Sequence, residues 1–236
     1  MSKPSLFPHG QSPRRAPWAV AALVAAGLAL AQPAQAMPSY TLSAPNGVWG
    51  SPNWSESATV SLNGQSRRVG AGLFRLRADD GTNAEFDLLT FCIEVAQSLV
   101  LPETFQQTAF APAMAGTVNA LWSNAFGQVA NAQTAAAFQL ALWDLTHDTD
   151  LNLSTGSLQV QANGSTLALA QSWLDNIAGN TWQADPTVLV SRLASPNSQD
   201  QLFVERRGTP VGVPATGLLM VGALAGLTLY RCRKSA

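Results

Sequence analysis

Read for its alternation of apolar and polar positions, the chain divides into a strand-rich first part, a helical middle and a return to strand. Between residues 40 and 101, short β-compatible stretches dominate. Residues 58–62 run into Asn63-Gly64, the dipeptide best suited to the two positive-φ positions of a tight hairpin turn. A partner strand is predicted over 69–76, with Leu73 alternating against Phe74, and Asp79-Asp80-Gly81 marks the next turn. Residues 85–95 then read as one strand through Phe86, Leu88, Leu89, Phe91 and Ile93, with Cys92 inside it.

The period then changes from two to between three and four. Residues 115–126 place Val118, Leu121, Trp122 and Ala125 on one side of a helix. Residues 131–146 carry the clearest helical pattern, with Ala135, Phe138, Leu142 and Leu145 recurring at three and four. A shorter helix is predicted over 168–177, and strands over 188–193 and 201–204. No internal repeat is visible. The expectation is an α+β domain, antiparallel and β-rich with a helical middle segment packed on or inserted into it.

The two ends follow a different logic. Lys3, Arg14 and Arg15 precede an uncharged run over 18–31, and Ala34-Gln35-Ala36 offers a small-x-small cleavage site that leaves Met37 as the new N-terminus. The run spans 14 residues, short of the roughly 20 that cross a bilayer. Residues 1–36 thus read as a secretory signal peptide. At the other end Val213-Pro214-Ala215-Thr216 opens an apolar stretch over 217–230, followed at once by Arg231, Arg233 and Lys234. Positive charge after an apolar segment places the tail on the cytoplasmic side.

This end resembles the PEP-CTERM sorting signal, the three-part tail processed by exosortase in Gram-negative bacteria. The matching residues are Val211, Pro214, Ala215 and Thr216, the apolar transmembrane helix, and the basic end with Arg231, Arg233 and Lys234. The chain departs from the usual Val-Pro-Glu-Pro opening: Gly212 stands where the first Pro is expected and Val213 where the Glu is. The resemblance implies an exosortase-like processing enzyme as partner and transient membrane anchorage. It implies a final place at the cell surface, in the outer envelope or in the extracellular matrix. An ordinary C-terminal membrane anchor is the alternative. The expected organisation is a signal peptide over 1–36, an extracytoplasmic domain over 37–207 and a sorting segment over 208–236.

Composition sharpens the picture of the middle. All fourteen acidic residues fall within 37–207, against seven arginines and no lysine, so this part is net negative by about seven although the whole chain is near −1. Such a balance argues against nucleic acid as a partner, because phosphates call for clustered Lys and Arg. Six tryptophans supply bulk for a core. Cys92 is the one cysteine in this part, and Cys232 lies in the basic tail across the expected membrane. A lone cysteine in an exported domain is either buried and inert or covalently occupied in another way.

Two short motifs carry the candidate chemistry. One is Phe91-Cys92-Ile93-Glu94; the other is Ala137-Phe138-Gln139-Leu140-Ala141-Leu142-Trp143-Asp144. Gln139 and Trp143, four apart, share a helix face, and Ala136 on the same side leaves room for close approach. These segments resemble the thioester domains of bacterial surface adhesins, in which a cysteine after an aromatic residue bonds to the glutamine of a Gln-x-Ala-aliphatic-Trp motif. The matches are Phe91-Cys92 and residues 139–143, and the likeness covers about residues 70–180. Residues 199–201, Gln-Asp-Gln, are similar to a segment of exosortase substrates carrying this domain. The resemblance implies a Cys92–Gln139 thioester shielded by Phe91 and Trp143, without a cofactor or a metal. An incoming amine or hydroxyl would capture the Gln139 acyl group.

The same residues admit a plain reading, in which Cys92 is a small buried hydrophobe and Gln139 hydrogen-bonds within the helix seam. His147, two turns past Gln139, is either a base for the thiol, if the helix runs that far, or a polar residue favoured at a helix C-terminus. Asp144, Asp148 and Asp150 lack the spacing of a Ca²⁺ loop and read as a solvated helix end. No Gly-x-Ser-x-Gly elbow or His/Cys cluster points to an enzyme. Two functions are expected from these residues. One is an adhesion module of the cell surface or exopolysaccharide matrix, capable of covalent attachment. The other is a non-reactive structural protein of the envelope or biofilm matrix with the same fold.

Overall fold

The computed structural model describes residues 37–207, apart from 83 and 149. The predicted signal and sorting segments, with Ala34, Ala36, Val211, Pro214, Ala215, Thr216, Arg231, Arg233 and Lys234, lie outside these residues. No helix among the described residues is long and apolar enough to cross a membrane.

The described residues form an α+β domain of two antiparallel sheets and three α-helices. Nine strands occur in chain order: β1 (Ser39–Ser43), β2 (Ser55–Leu62), β3 (Gln65–Gly72), β4 (Phe74–Asp79), β5 (Glu85–Thr90), β6 (Glu103–Ala109), β7 (Leu158–Gln161), β8 (Val188–Ser195) and β9 (Ser198–Arg206). The helices are α1 (Pro112–Ala125), α2 (Ala132–His147) and α3 (Gly164–Ala178). One sheet has the order β5-β4-β1-β6-β8-β9 and the other β3-β2-β7.

The hairpin foreseen at Asn63-Gly64 joins β2 to β3, and both turn residues take positive φ, at 52° and 79°. The single strand predicted over 69–76 is two strands belonging to different sheets. Gly72 presses its backbone so closely on Trp54 that an added Cβ would sit 2.1 Å from the Trp54 carbonyl oxygen. There the chain breaks at Leu73, whose N–H donates to Trp54 O at 3.0 Å, and crosses to the larger sheet. The period-two pattern could not register this change, because Leu73 and Phe74 are both buried. β1 lies in the stretch read as mainly strand, whereas β6 and β7 carry too little apolar alternation to be read from the sequence.

The three helices appear where their spacing puts them, with earlier starts for α1 and α3. Pro112 occupies the first turn of α1, where its missing N–H costs nothing. Asn131 and Thr134 form a reciprocal capping box at the start of α2, with Thr134 N–H donating to Asn131 Oδ1 at 2.9 Å. Every residue of α2 from Ala135 to Leu145 is buried. A helix enclosed on all sides is a core element, and α2 packs against α1, α3 and all three strands of the smaller sheet.

The larger sheet curls until its two edges meet. Past the end of β5, Leu202 N–H donates to Phe91 O and Ile93 N–H to Asp200 O, both at 2.9 Å, around a bridge between Cys92 and Gln201. The strand predicted over 85–95 therefore ends at Thr90, and Cys92 lies in the seam that joins β5 to β9. The cause is the curl: past residue 90 the chain leaves β4 and takes β9 as its neighbour.

Candidate functional site

The seam explains why a helix glutamine reaches a cysteine 47 positions away in sequence. In the Cys92–Gln201 pair the hydrogen bonds are made by the flanking residues, so the N–H and C=O of Cys92 point away from β9. No strand lies on that outer side, since the last β4–β5 pair is Phe74 with Thr90. Two buried main-chain groups thus require partners. Gln139 of α2 supplies both: Cys92 N–H donates to Gln139 Oε1 at 3.0 Å, and Gln139 Nε2 donates to Cys92 O at 2.7 Å. Thr146, seven residues on, donates to Ile93 O at 3.2 Å. Helix α2 stands in for the missing strand.

This clamp brings the thiol to the amide. Cys92 Sγ lies 3.4 Å from Gln139 Oε1, and neither side chain reaches solvent, with Cys92 2% and Gln139 0% exposed. Cys92 is a free, buried cysteine. Burial pushes its thiol well above the ordinary range; the indole of Trp143 partly opposes this. Trp143 Nε1 faces the sulfur without reaching hydrogen-bond geometry, and it is a buried donor that has no acceptor among the described residues. Phe91 is fully buried and stacks on Phe138 with ring centres 4.3 Å apart, which holds the Phe91-Cys92 backbone against α2.

Three things follow chemically. The thiol is neutral, so attack on the amide carbon requires its proton to pass to the departing nitrogen. The Cys92 N–H already donates to the oxygen on which negative charge would develop. Cys92 and Gln139 are themselves almost wholly shielded from solvent, and a thioester survives where water is excluded.

A cleft of about 540 Å³ is lined by Cys92 and Trp143 together with Arg67, Arg68, Gln97 and Gln199. The first two are almost wholly buried and form its floor; of the two exposed arginines, Arg67 bonds the cleft wall at the Val95 and Ala96 carbonyls, whereas Arg68 turns to the other face of the smaller sheet and bonds Ser57 Oγ.

The remaining candidates fall elsewhere. α2 does run through His147, its last residue, but the ring lines a different groove with Ala111, Met114, Thr117 and Leu151. Burial lowers the His147 pKa, against the opposing pull of the Ile93 carbonyl and Glu94, and this keeps the ring neutral. Asp144 corrects the reading of a solvated helix end. It is fully buried, both its carboxylate oxygens lack hydrogen-bond partners among the described residues, and burial followed by the Asp150 and Asp148 charges raises it to about 7. Asp148 is held by Leu158 N–H at 3.0 Å and by Ser157. Among the described residues no group of His, Cys, Asp and Glu side chains is arranged to hold a metal ion.

The role of residues 199–201 was not apparent from the motif alone. Gln199 Nε2 donates to Glu94 O, Asp200 pairs with Arg192 at 3.8 Å, and Gln201 lies opposite Cys92. This segment is the far side of the seam. Comparison of the chain with protein-family models, with curated proteins and with solved structures gives no match.

Proposed function

We propose that the protein is exported to the cell surface or the exopolysaccharide matrix, where its domain acts as an adhesion module armed with a Cys92–Gln139 thioester. The observation that carries this reading is the double hydrogen bond between the Gln139 amide and the Cys92 backbone, with the thiol 3.4 Å from the amide oxygen. In the bond-forming step the Cys92 sulfur adds to the Gln139 side-chain carbonyl carbon, the thiol proton moves to nitrogen, and ammonia leaves. Export rests on the signal-like residues 1–36 with cleavage before Met37, and retention on the PEP-CTERM-like tail handled by an exosortase-like enzyme. The second reading, a non-reactive matrix protein, is favoured by the same hydrogen bonds, since they satisfy the Cys92 backbone without any covalent chemistry.

One experiment separates these readings. The intact mass of protein recovered from the producing bacterium's envelope and medium should place the N-terminus at Met37 and lie about 17 Da below the sequence value, through loss of ammonia. Methylamine should add to the wild-type protein and not to Cys92→Ala. A full mass with a titratable thiol leaves the non-reactive reading, and a chain still beginning at Met1 removes export.

A further inference from the structure

We infer that the indole N–H of Trp143 is the hydrogen-bond donor for the Cys92 sulfur whenever that sulfur carries negative charge, so that Trp143 promotes the making and opening of the Cys92–Gln139 bond as well as covering it. This rests on the thioester reading and adds to it a group that acts on the reacting sulfur.

The observation behind it is an unmet donor. Trp143 is 1% exposed, and its Nε1 is buried with no hydrogen-bond acceptor among the described residues. A buried tryptophan N–H ordinarily finds a partner, and one left without costs stability. A purely apolar cover would be met by phenylalanine, which buries no donor.

Placement supplies the acceptor. Trp143 follows Gln139 by about one helical turn, on the face of α2 that holds the Cys92 backbone. Cys92 and Trp143 lie together in the floor of one cleft, and the indole N–H faces Sγ. The sulfur of a neutral thiol is a weak acceptor, which leaves the donor unmet in the resting protein; a thiolate is a strong one, because its hydrogen bond is charge-assisted. The donor is thus matched to a charge that exists only during reaction, and a group preorganised in that way lowers the barrier instead of stabilising the ground state.

The surroundings leave this task to the indole. Burial opposes charge on the sulfur, and so does Glu94. The Cys92 N–H is committed to Gln139 Oε1 at 3.0 Å and serves the carbonyl oxygen. Arg67, in the same cleft, is bonded to the Val95 and Ala96 carbonyls. His147 is neutral and lines a separate groove.

In opening, an amine nitrogen attacks the Gln139 thioester carbon, the carbon–sulfur bond breaks, and its electron pair stays on sulfur, where the Trp143 N–H meets it. A proton from the attacking nitrogen then passes to the sulfur, leaving an amide on the Gln139 side chain and a free thiol. Bond formation is the same path reversed, with ammonia as the departing amine. Trp143 keeps its own proton throughout.

The test replaces Trp143 by benzothienylalanine in the full exported chain, through a reassigned stop codon. This side chain keeps the two fused rings and puts sulfur where the N–H was, so the cover is preserved and the donor is lost. Methylamine opening, followed by intact mass, should slow about 10- to 100-fold, and the fraction of protein carrying the bond at purification should fall. A cover alone predicts no change; opening at the wild-type rate, or faster, overturns the inference while the thioester reading stands. A wild-type protein of full mass that never takes up methylamine overturns both. A second measurement needs neither a thioester nor the unnatural side chain. In a proton–nitrogen correlation spectrum the Trp143 indole signal, identified by its loss in Trp143→Phe, should move downfield in Cys92→Ser relative to Cys92→Ala. The serine hydroxyl oxygen is a better acceptor than the thiol, and alanine offers none. An indole signal unmoved between these two variants would show that the N–H does not point at the side chain of residue 92, and would likewise overturn the inference.

Discussion

Replacing Gln139 by leucine, in a Cys92→Ala background that removes any covalent link, isolates the work of the hydrogen-bonded clamp. Leucine is close to glutamine in volume and suits the apolar surroundings of α2, so the main loss is two hydrogen bonds. These are Cys92 N–H to Oε1 at 3.0 Å and Nε2 to Cys92 O at 2.7 Å, and both main-chain groups belong to the residue at position 92, so they survive the background substitution. Among the described residues no other group hydrogen-bonds them, and Cys92 is only 2% exposed. Each buried group left unsatisfied costs about 1–3 kcal/mol, so the expected loss is roughly 2–6 kcal/mol. For a domain of this size that corresponds to a fall in Tm of roughly 5–20 °C. Urea denaturation of the two proteins measures the difference, and hydrogen exchange at the amide of residue 92 should rise from strong protection to near that of surface loops. A loss below about 1 kcal/mol, or an amide still protected, would show that the seam satisfies its backbone without α2 and would refute this account of why Gln139 is there.

Two further outcomes follow from particular residues. Asp144 keeps its proton in the folded chain up to about 7. The unfolded carboxyl loses it near 3.9, so stability falls as pH rises through that window, by as much as about 4 kcal/mol. Asp144→Asn should abolish this slope in urea denaturation, stabilising the protein above neutrality and changing little in acid; a slope of opposite sign or one unchanged by the substitution would contradict it. Gly72→Ala drives a Cβ to within 2.1 Å of Trp54 O and 2.6 Å of Ser55 Cα, both backbone atoms, and should cost about 3 kcal/mol by the same measurement. Unchanged stability would mean that the β3–β4 crossing has room to move.

The sequence by itself determined the secondary structure wherever the signal was local. Asn63-Gly64 specified its hairpin because two adjacent positive-φ positions suit few other dipeptides. The spacing of Ala135, Phe138, Leu142 and Leu145 located α2, since one apolar stripe at 3.6 residues per turn admits no strand. Cys92 and Gln139 were also legible as a pair, from the solitary cysteine and from the resemblance of their motifs to adhesin thioester domains. The tertiary structure alone decided the rest. Period-two alternation is blind to which sheet a strand joins, so 69–76 was read as one strand although the close backbone approach at Gly72 divides it. It is equally blind to curl, so the run over 85–95 concealed that Cys92 leaves β4 and closes on β9. Burial of Asp144 could not be read from its charge, because polarity along the chain does not reveal that later segments cover that end of the helix. The meeting of thiol and amide is likewise a tertiary fact: a sheet edge that curls away from its neighbour leaves two backbone groups unpaired, and a buried helix carries the one side chain that can answer both.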